Sequence, residues 1–136
     1  MTAARTGEEL ERLYLGYLDC LNRQEWRSLG TFVAEAAIHN GLRIGLAGYQ
    51  KMLEGDFRAI PDLRFTPEIL TVSPPHVACR LVFDCTPVGT LFGLPVNGRR
   101  VRFHENVFYR FDDGHIAEVW SIIDRAAIDS QIAVPE

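Results

Sequence analysis

From Leu10 to Leu21 the apolar positions Leu10, Leu13, Tyr14, Tyr17, Leu18 and Leu21 recur three and four residues apart, the period of one helical face. This spacing predicts an amphipathic helix over residues 7–23. Thr6-Gly7-Glu8-Glu9 opens it as a capping box, in which the Thr6 hydroxyl accepts from the Glu9 amide and the Glu9 carboxylate reaches back. Trp26, Leu29 and Phe32 predict a shorter second helix, and a brief strand is expected over residues 36–39. Leu46, Tyr49, Leu53, Phe57 and Ile60 mark a third helix, which Pro61 closes. Beyond Leu63 the pattern changes. Residues 64–72, 76–86, 101–111 and 115–123 are rich in Val, Ile, Phe and Tyr, with turn signals at Pro74-Pro75 and Asp113-Gly114. Residues 126–132 predict a last short helix. Helices first and an antiparallel sheet second define an α+β domain, a single unit over residues 1–136 without repeat or linker.

The strand over residues 101–111 separates two faces. Val101, Phe103, Glu105, Val107, Tyr109 and Phe111 share one, strongly apolar but for a single carboxylate. Arg102, His104, Asn106, Phe108 and Arg110 share the other. Phe108 and Trp120 of the following strand would leave an apolar patch in water on that second face, so a homodimer through it is expected. Glu118 belongs to this outer face as well.

Composition narrows the functional classes. A chain of 136 residues with 47% hydrophobic and 24% charged residues suits one soluble domain. A net charge of −4 argues against a nucleic-acid surface, and Arg99, Arg100 and Arg102 read as an exposed hairpin shoulder. No apolar run approaches a membrane span and no signal peptide is visible, so the expected location is cytoplasmic. Cys20, Cys79 and Cys85 have neither Cys-x-x-Cys nor metal-ligand spacing and read as small core residues. No metal and no cofactor is expected.

Two motifs carry a family resemblance. Gly89-Thr90-Leu91-Phe92-Gly93-Leu94-Pro95-Val96-Asn97-Gly98 precedes the strand at Val101. Tyr109-Arg110-Phe111-Asp112-Asp113-Gly114-His115-Ile116-Ala117-Glu118-Val119-Trp120-Ser121-Ile122-Ile123-Asp124 follows. Together they resemble the SnoaL-like polyketide cyclases of the NTF2-like superfamily, with His39-Asn40-Gly41 and Gly48-Tyr49 as weaker marks. The resemblance implies a cone: a bent antiparallel sheet wrapped around the N-terminal helices, enclosing a deep apolar pocket for a small cyclic or polyketide-like ligand. In the cyclases an aspartate on the last strand is the acid/base group, assisted by a histidine on the preceding strand. Aligned through Asp113-Gly114, those positions fall on Ser121 and Val107, and a second family histidine falls on Pro87. Val107 and Pro87 transfer no proton, and a serine does not replace a carboxylate without its own base. In the related ketosteroid isomerases Tyr17 would match the phenol donor, but the base position falls near Asn40, which does not titrate.

Glu105 is therefore the expected catalytic group. Its parity places it among Phe103, Val107 and Tyr109, where burial raises a carboxyl pKa towards the range useful for proton transfer. The competing reading pairs Glu105 with Arg80 or Arg64 across the sheet. Tyr17, His39, Asn40 and Ser121 are the expected ligand-binding residues. Asp124 joins them as a border of the pocket mouth, although its place before residues 125–128 also suits a helix N-cap. The functional expectation is cofactor-free acid/base chemistry of cyclase or isomerase type. The alternative is a non-catalytic binding or association module.

Overall fold

The computed structural model describes residues 5–133. The first helix, α1, runs Gly7–Asn22, and both halves of the Thr6/Glu9 capping box are formed. Its buried stripe contains Leu10, Tyr14, Tyr17, Leu18 and Leu21 as the spacing predicts, with Cys20 added. The short second helix is a 3₁₀ segment, Trp26–Thr31. Strand β1 spans Val33–His39 and is longer than expected. Asn40-Gly41, both at positive φ, turns it into the two-residue strand β2, Leu42–Arg43. Helix α2, Gly45–Ala59, follows.

The strand-rich half comprises β3 Thr66–Ser73, β4 His76–Cys85, β7 Val101–Asp112 and β8 His115–Ile123. Between β4 and β7 the Gly-Pro segment folds back on itself as a small hairpin, β5 Thr90–Leu91 and β6 Leu94–Pro95. Helix α3, Arg125–Ile132, ends the described chain. Asp113 and Gly114 both take positive φ, as the primed two-residue turn between β7 and β8 requires.

The main sheet is curved, open at both edges, and ordered β2-β1-β8-β7-β4-β3. All its pairings are antiparallel except one: β1 lies parallel to β8. The four strands of the second half pair antiparallel as the pattern predicts, and the parallel pairing is an addition made by the early strand. Hairpin partners are forced antiparallel by their short turns, whereas β1 meets β8 only after most of the chain has intervened.

Helix α1 covers the concave face. The Tyr14 and Tyr17 rings lie 4.9 and 5.9 Å from that of Tyr109 in β7. Asn22, at the end of α1, clamps the chain entering β3: its amide oxygen accepts from Phe65 N–H at 2.7 Å and its amide nitrogen donates to Phe65 C=O at 3.0 Å. The parity expected for β7 holds along the whole strand. Val101, Phe103, Val107, Tyr109 and Phe111 are buried, while Arg102 and Phe108 are exposed. The three cysteines are free thiols buried in the core. The arginine shoulder forms no bare basic patch, because Arg100 pairs with Asp84 at 2.8 Å and Arg102 with Glu68 at 3.7 Å, while Arg99 donates to Ile132 C=O. Among the described residues no helix is long and apolar enough to cross a membrane.

Candidate active site

A cavity of about 240 Å3 lies between the concave sheet face, α1 and α2. Tyrosine and phenylalanine rings contribute much of its wall, among them Tyr17, Tyr49, Phe65, Phe83, Phe103 and Tyr109. Tyr17, His39, Asn40, Glu105 and Ser121 all line it, so five of the six expected site residues come together. Asp124 does not. Its carboxylate accepts from Ala127 N–H at 3.1 Å and caps α3, outside the lining. The free amides at a helix start attract a short acidic side chain that can fold back on them.

Glu105 pairs in register with Ile123, and Val107 with Ser121. Ser121 is thus a diagonal neighbour of Glu105 on the inner face, within reach of a side chain as long as glutamate. The Ser121 hydroxyl donates to Glu105 Oε2. Ser121 is held in turn by Asn40, whose amide oxygen accepts from Ser121 N–H at 2.7 Å and whose amide nitrogen donates to Ser121 C=O at 3.2 Å. The Asn40 side chain thereby extends the β1–β8 ladder past the end of β1. Half of its hydrogen-bonding capacity is committed to positioning Ser121, leaving one N–H and one oxygen lone pair for a ligand.

No ion pair among the described residues involves Glu105. Arg80, the cation expected as its rival partner, lies on the outer face, 3.3 Å from Glu68 and 3.0 Å from Asn106. His104 joins that outer cluster, 3.1 Å from Glu68. Glu105 exposes surface only in part, and it is one of the residues walling the cavity. Burial therefore pushes its carboxyl pKa up, and the Ser121 hydrogen bond partly opposes the rise.

A second carboxyl, Asp56, lines the same cavity. Burial, and after it the negative charge of Glu105, pushes its pKa up to about 7. Sequence reasoning passed over it, although a signal was present: Tyr49, Met52, Leu53 and Asp56 are spaced three and four apart on one face of α2. The remaining polar lining is neutral at pH 7. Tyr17 and Tyr49 share a hydrogen bond at 2.5 Å between their hydroxyls, and Tyr14 donates to Tyr109 at 3.3 Å. Burial raises the pKa of all four phenols. Burial lowers that of His39, so its imidazole is uncharged. Among the described residues no Lys or Arg lines the cavity. Among the described residues no group of three or more His, Cys, Asp or Glu is placed to hold a metal ion.

A curved α+β sheet folded over an N-terminal helix, with carboxyls in an aromatic cavity, is the architecture of an NTF2-like pocket protein. The chain belongs to the SnoaL-like polyketide cyclase family, whose profile matches residues 11–132. It is similar to a SnoaL-like polyketide cyclase from Agrobacterium tumefaciens, at 52% identity over 90% of this chain and 97% of that one, with a TM-score of 0.89. TsrD from Streptomyces laurentii shares the fold at 22% identity, with 94% and 97% of the two chains covered and a TM-score of 0.82. AclR from Streptomyces galilaeus, provisionally named a hydroxylase, shares it at 24% identity, with 96% and 100% covered and a TM-score of 0.78. No protein of the curated set matches the chain.

Proposed function

We propose that this protein is a cofactor-free acid/base enzyme of cyclase or isomerase type, acting on a small apolar cyclic or polyketide-like molecule with Glu105 as proton carrier. The observation that carries the reading is Glu105 itself: a carboxyl without an ion-pair partner, walling an aromatic cavity and anchored by one serine hydroxyl. Burial raises its pKa above that of an ordinary carboxyl, the direction that makes its carboxylate a stronger base. Ser121 and Val107 stand as cross-strand neighbours on the inner face, at the positions where the family resemblance would put the cyclase aspartate and histidine. Neither side chain is an acid or base, and Glu105 is the carboxyl that the Ser121 hydroxyl meets on that face. Tyr17, with Tyr49, and His39 offer hydroxyl and imidazole groups to ligand oxygens, while Asn40 and Ser121 chiefly hold Glu105 in place.

The test is occupancy of the cavity by a neutral aromatic probe. Titration with 2-naphthol, followed by amide NMR, is expected to shift resonances of Tyr17, Tyr49, Glu105 and Ser121 and to leave the outer face of β7 unchanged. Shifts confined to the outer face would overturn the pocket reading.

The outer sheet face supports a homodimer. Phe108 and Trp120 pair across β7 and β8 while 55% and 39% exposed, beside Ile122 at 73%. Three large apolar side chains on one sheet face are better covered than solvated. Sedimentation at micromolar concentration is expected to give a dimer for the wild type and a monomer for Phe108→Asp. A monomeric wild type would rule the dimer out.

A further inference from the structure

We propose that Asp56 is the second proton-transferring group of this site, working with Glu105 across the cavity on the enolisable carbonyl that a cyclase- or isomerase-type reaction implies. This rests on the reading of Glu105 as proton carrier and adds to it a partner acid. The argument begins from placement. Asp56 projects from α2 and Glu105 from β7, and both wall the one cavity. Glu105 is engaged by the Ser121 hydroxyl, a donor that favours its ionised form. Among the described residues Asp56 has no side-chain hydrogen bond or ion-pair partner, and no fully buried side-chain oxygen lacks one. Its carboxyl is therefore open to the cavity and available to whatever occupies it.

Two carboxyls in one low-dielectric space do not ionise together readily, so the first proton lost belongs to one and the last retained to the other. The hydroxyl donor on Glu105 assigns the negative charge there and leaves the proton on Asp56, in line with the pKa of about 7 that burial and Glu105 give it. The titratable groups sharing the cavity are Glu105 and Tyr109 from β7, Tyr17 from α1, Tyr49 from α2 and His39 from β1. All but Glu105 are uncharged at pH 7, so the Asp56 proton is held first by burial and then by the charge of Glu105.

A base and an acid facing one apolar space match one reaction class. The Glu105 carboxylate takes a proton from the carbon next to a carbonyl. The C–H electron pair becomes the enol double bond, the carbonyl π pair moves to oxygen, and oxygen takes the Asp56 proton. Where a double bond is conjugated to the enol, return of the Glu105 proton to its far carbon completes an isomerisation; alternatively the enol carbon attacks a second carbonyl, whose π pair moves to its oxygen and takes the Glu105 proton as the ring closes. In both cases the enol O–H pair re-forms the first carbonyl and Asp56 regains its proton. Atoms and electrons balance without an oxidant or reductant. With no Lys or Arg in the lining, a carboxylate- or phosphate-bearing substrate would meet only negative charge, so the substrate is neutral.

Deuterium uptake at C1 of 2-tetralone in D2O, followed by proton NMR, tests the pair. Wild-type protein is expected to accelerate uptake above buffer, with a rate that falls as pH rises through about 7, where Asp56 loses its proton. Glu105→Gln is expected to lose about 100-fold. Asp56→Asn still donates a hydrogen bond, so it should lose about 10-fold and no longer show the alkaline fall. Carbon NMR titration of the side-chain carboxyls gives a readout independent of turnover: Asp56 should titrate near 7, and lower in Glu105→Gln. Loss in Glu105→Gln with an unchanged rate and pH profile in Asp56→Asn overturns the inference and leaves the role of Glu105 standing. Unchanged rates in both variants overturn both readings. A wild-type rate equal to buffer overturns the carbonyl assignment, and an ordinary titration of Asp56 in the usual aspartate range overturns the pair.

Discussion

Glu105→Gln is expected to abolish about two orders of magnitude of turnover while making the folded protein more stable at neutral pH. The catalytic loss follows from the chemistry: glutamine fills the same volume and still accepts the Ser121 hydroxyl, but its amide does not carry a proton, and general acid/base assistance is usually worth a hundredfold or more. The stability gain follows from linkage. Burial raises the folded-state pKa of Glu105 above the 4.5 of an unperturbed glutamate. Between those two values the folded protein binds more protons than the unfolded chain, so stability is lost as pH rises through the window. Above it the wild type carries the full penalty of an ionised carboxyl in an aromatic cavity, and the glutamine variant does not. Turnover of the wild type should fall towards acid as Glu105 is protonated. Steady-state kinetics and urea unfolding across pH check both halves, and a variant with full turnover would move the chemistry away from this residue.

How much of this was legible in the chain depends on which residues carry a local signal. The period of two in β7 leaves a side chain only two choices of face, so the inward Glu105 and outward Phe108 could be read directly. The capping box and the stripe of α1 are equally local, and both form as written. Parallel pairing of β1 with β8 was not legible, because it joins segments with no short connection and depends on how the whole sheet curls. Asp124 illustrates a residue with two valid local readings, cap and pocket border, of which the free amides of α3 took the carboxylate. Asn40 was recognised as part of the site, but not its commitment to the Ser121 backbone, which requires knowing that β1 ends beside β8. Asp56 had a helical-face signal. Its importance emerges only when α2 and β7 are brought around one cavity, since a lone aspartate on a helix ordinarily faces water.

Asp56→Asn is expected to stabilise the protein at alkaline pH and to change nothing in acid. The group moves from an ordinary 3.8 to about 7 on folding. A raised carboxyl pKa means that the folded state retains a proton the unfolded chain has released, so the penalty is absent below 3.8, grows through the window and is complete above 7. At roughly 1.4 kcal/mol per pH unit, a rise of this size has an upper limit of about 4 kcal/mol. The carboxyl opens on the cavity, where water screens part of its charge, and about 2 kcal/mol is the expected gain for asparagine at pH 8. Part of that gain depends on Glu105, whose negative charge raises Asp56 further, so the two substitutions should not add: in a Glu105→Gln background Asp56→Asn should stabilise less. Urea unfolding of the wild type, both single variants and the double variant at pH 3.5 and pH 8 measures this coupling. Equal stabilisation in the two backgrounds would mean that the carboxyls do not sense one another. A stabilising effect that shrinks when Glu105 is gone would place both charges in one electrostatic site, where the fold gives up stability to hold a proton between two acids.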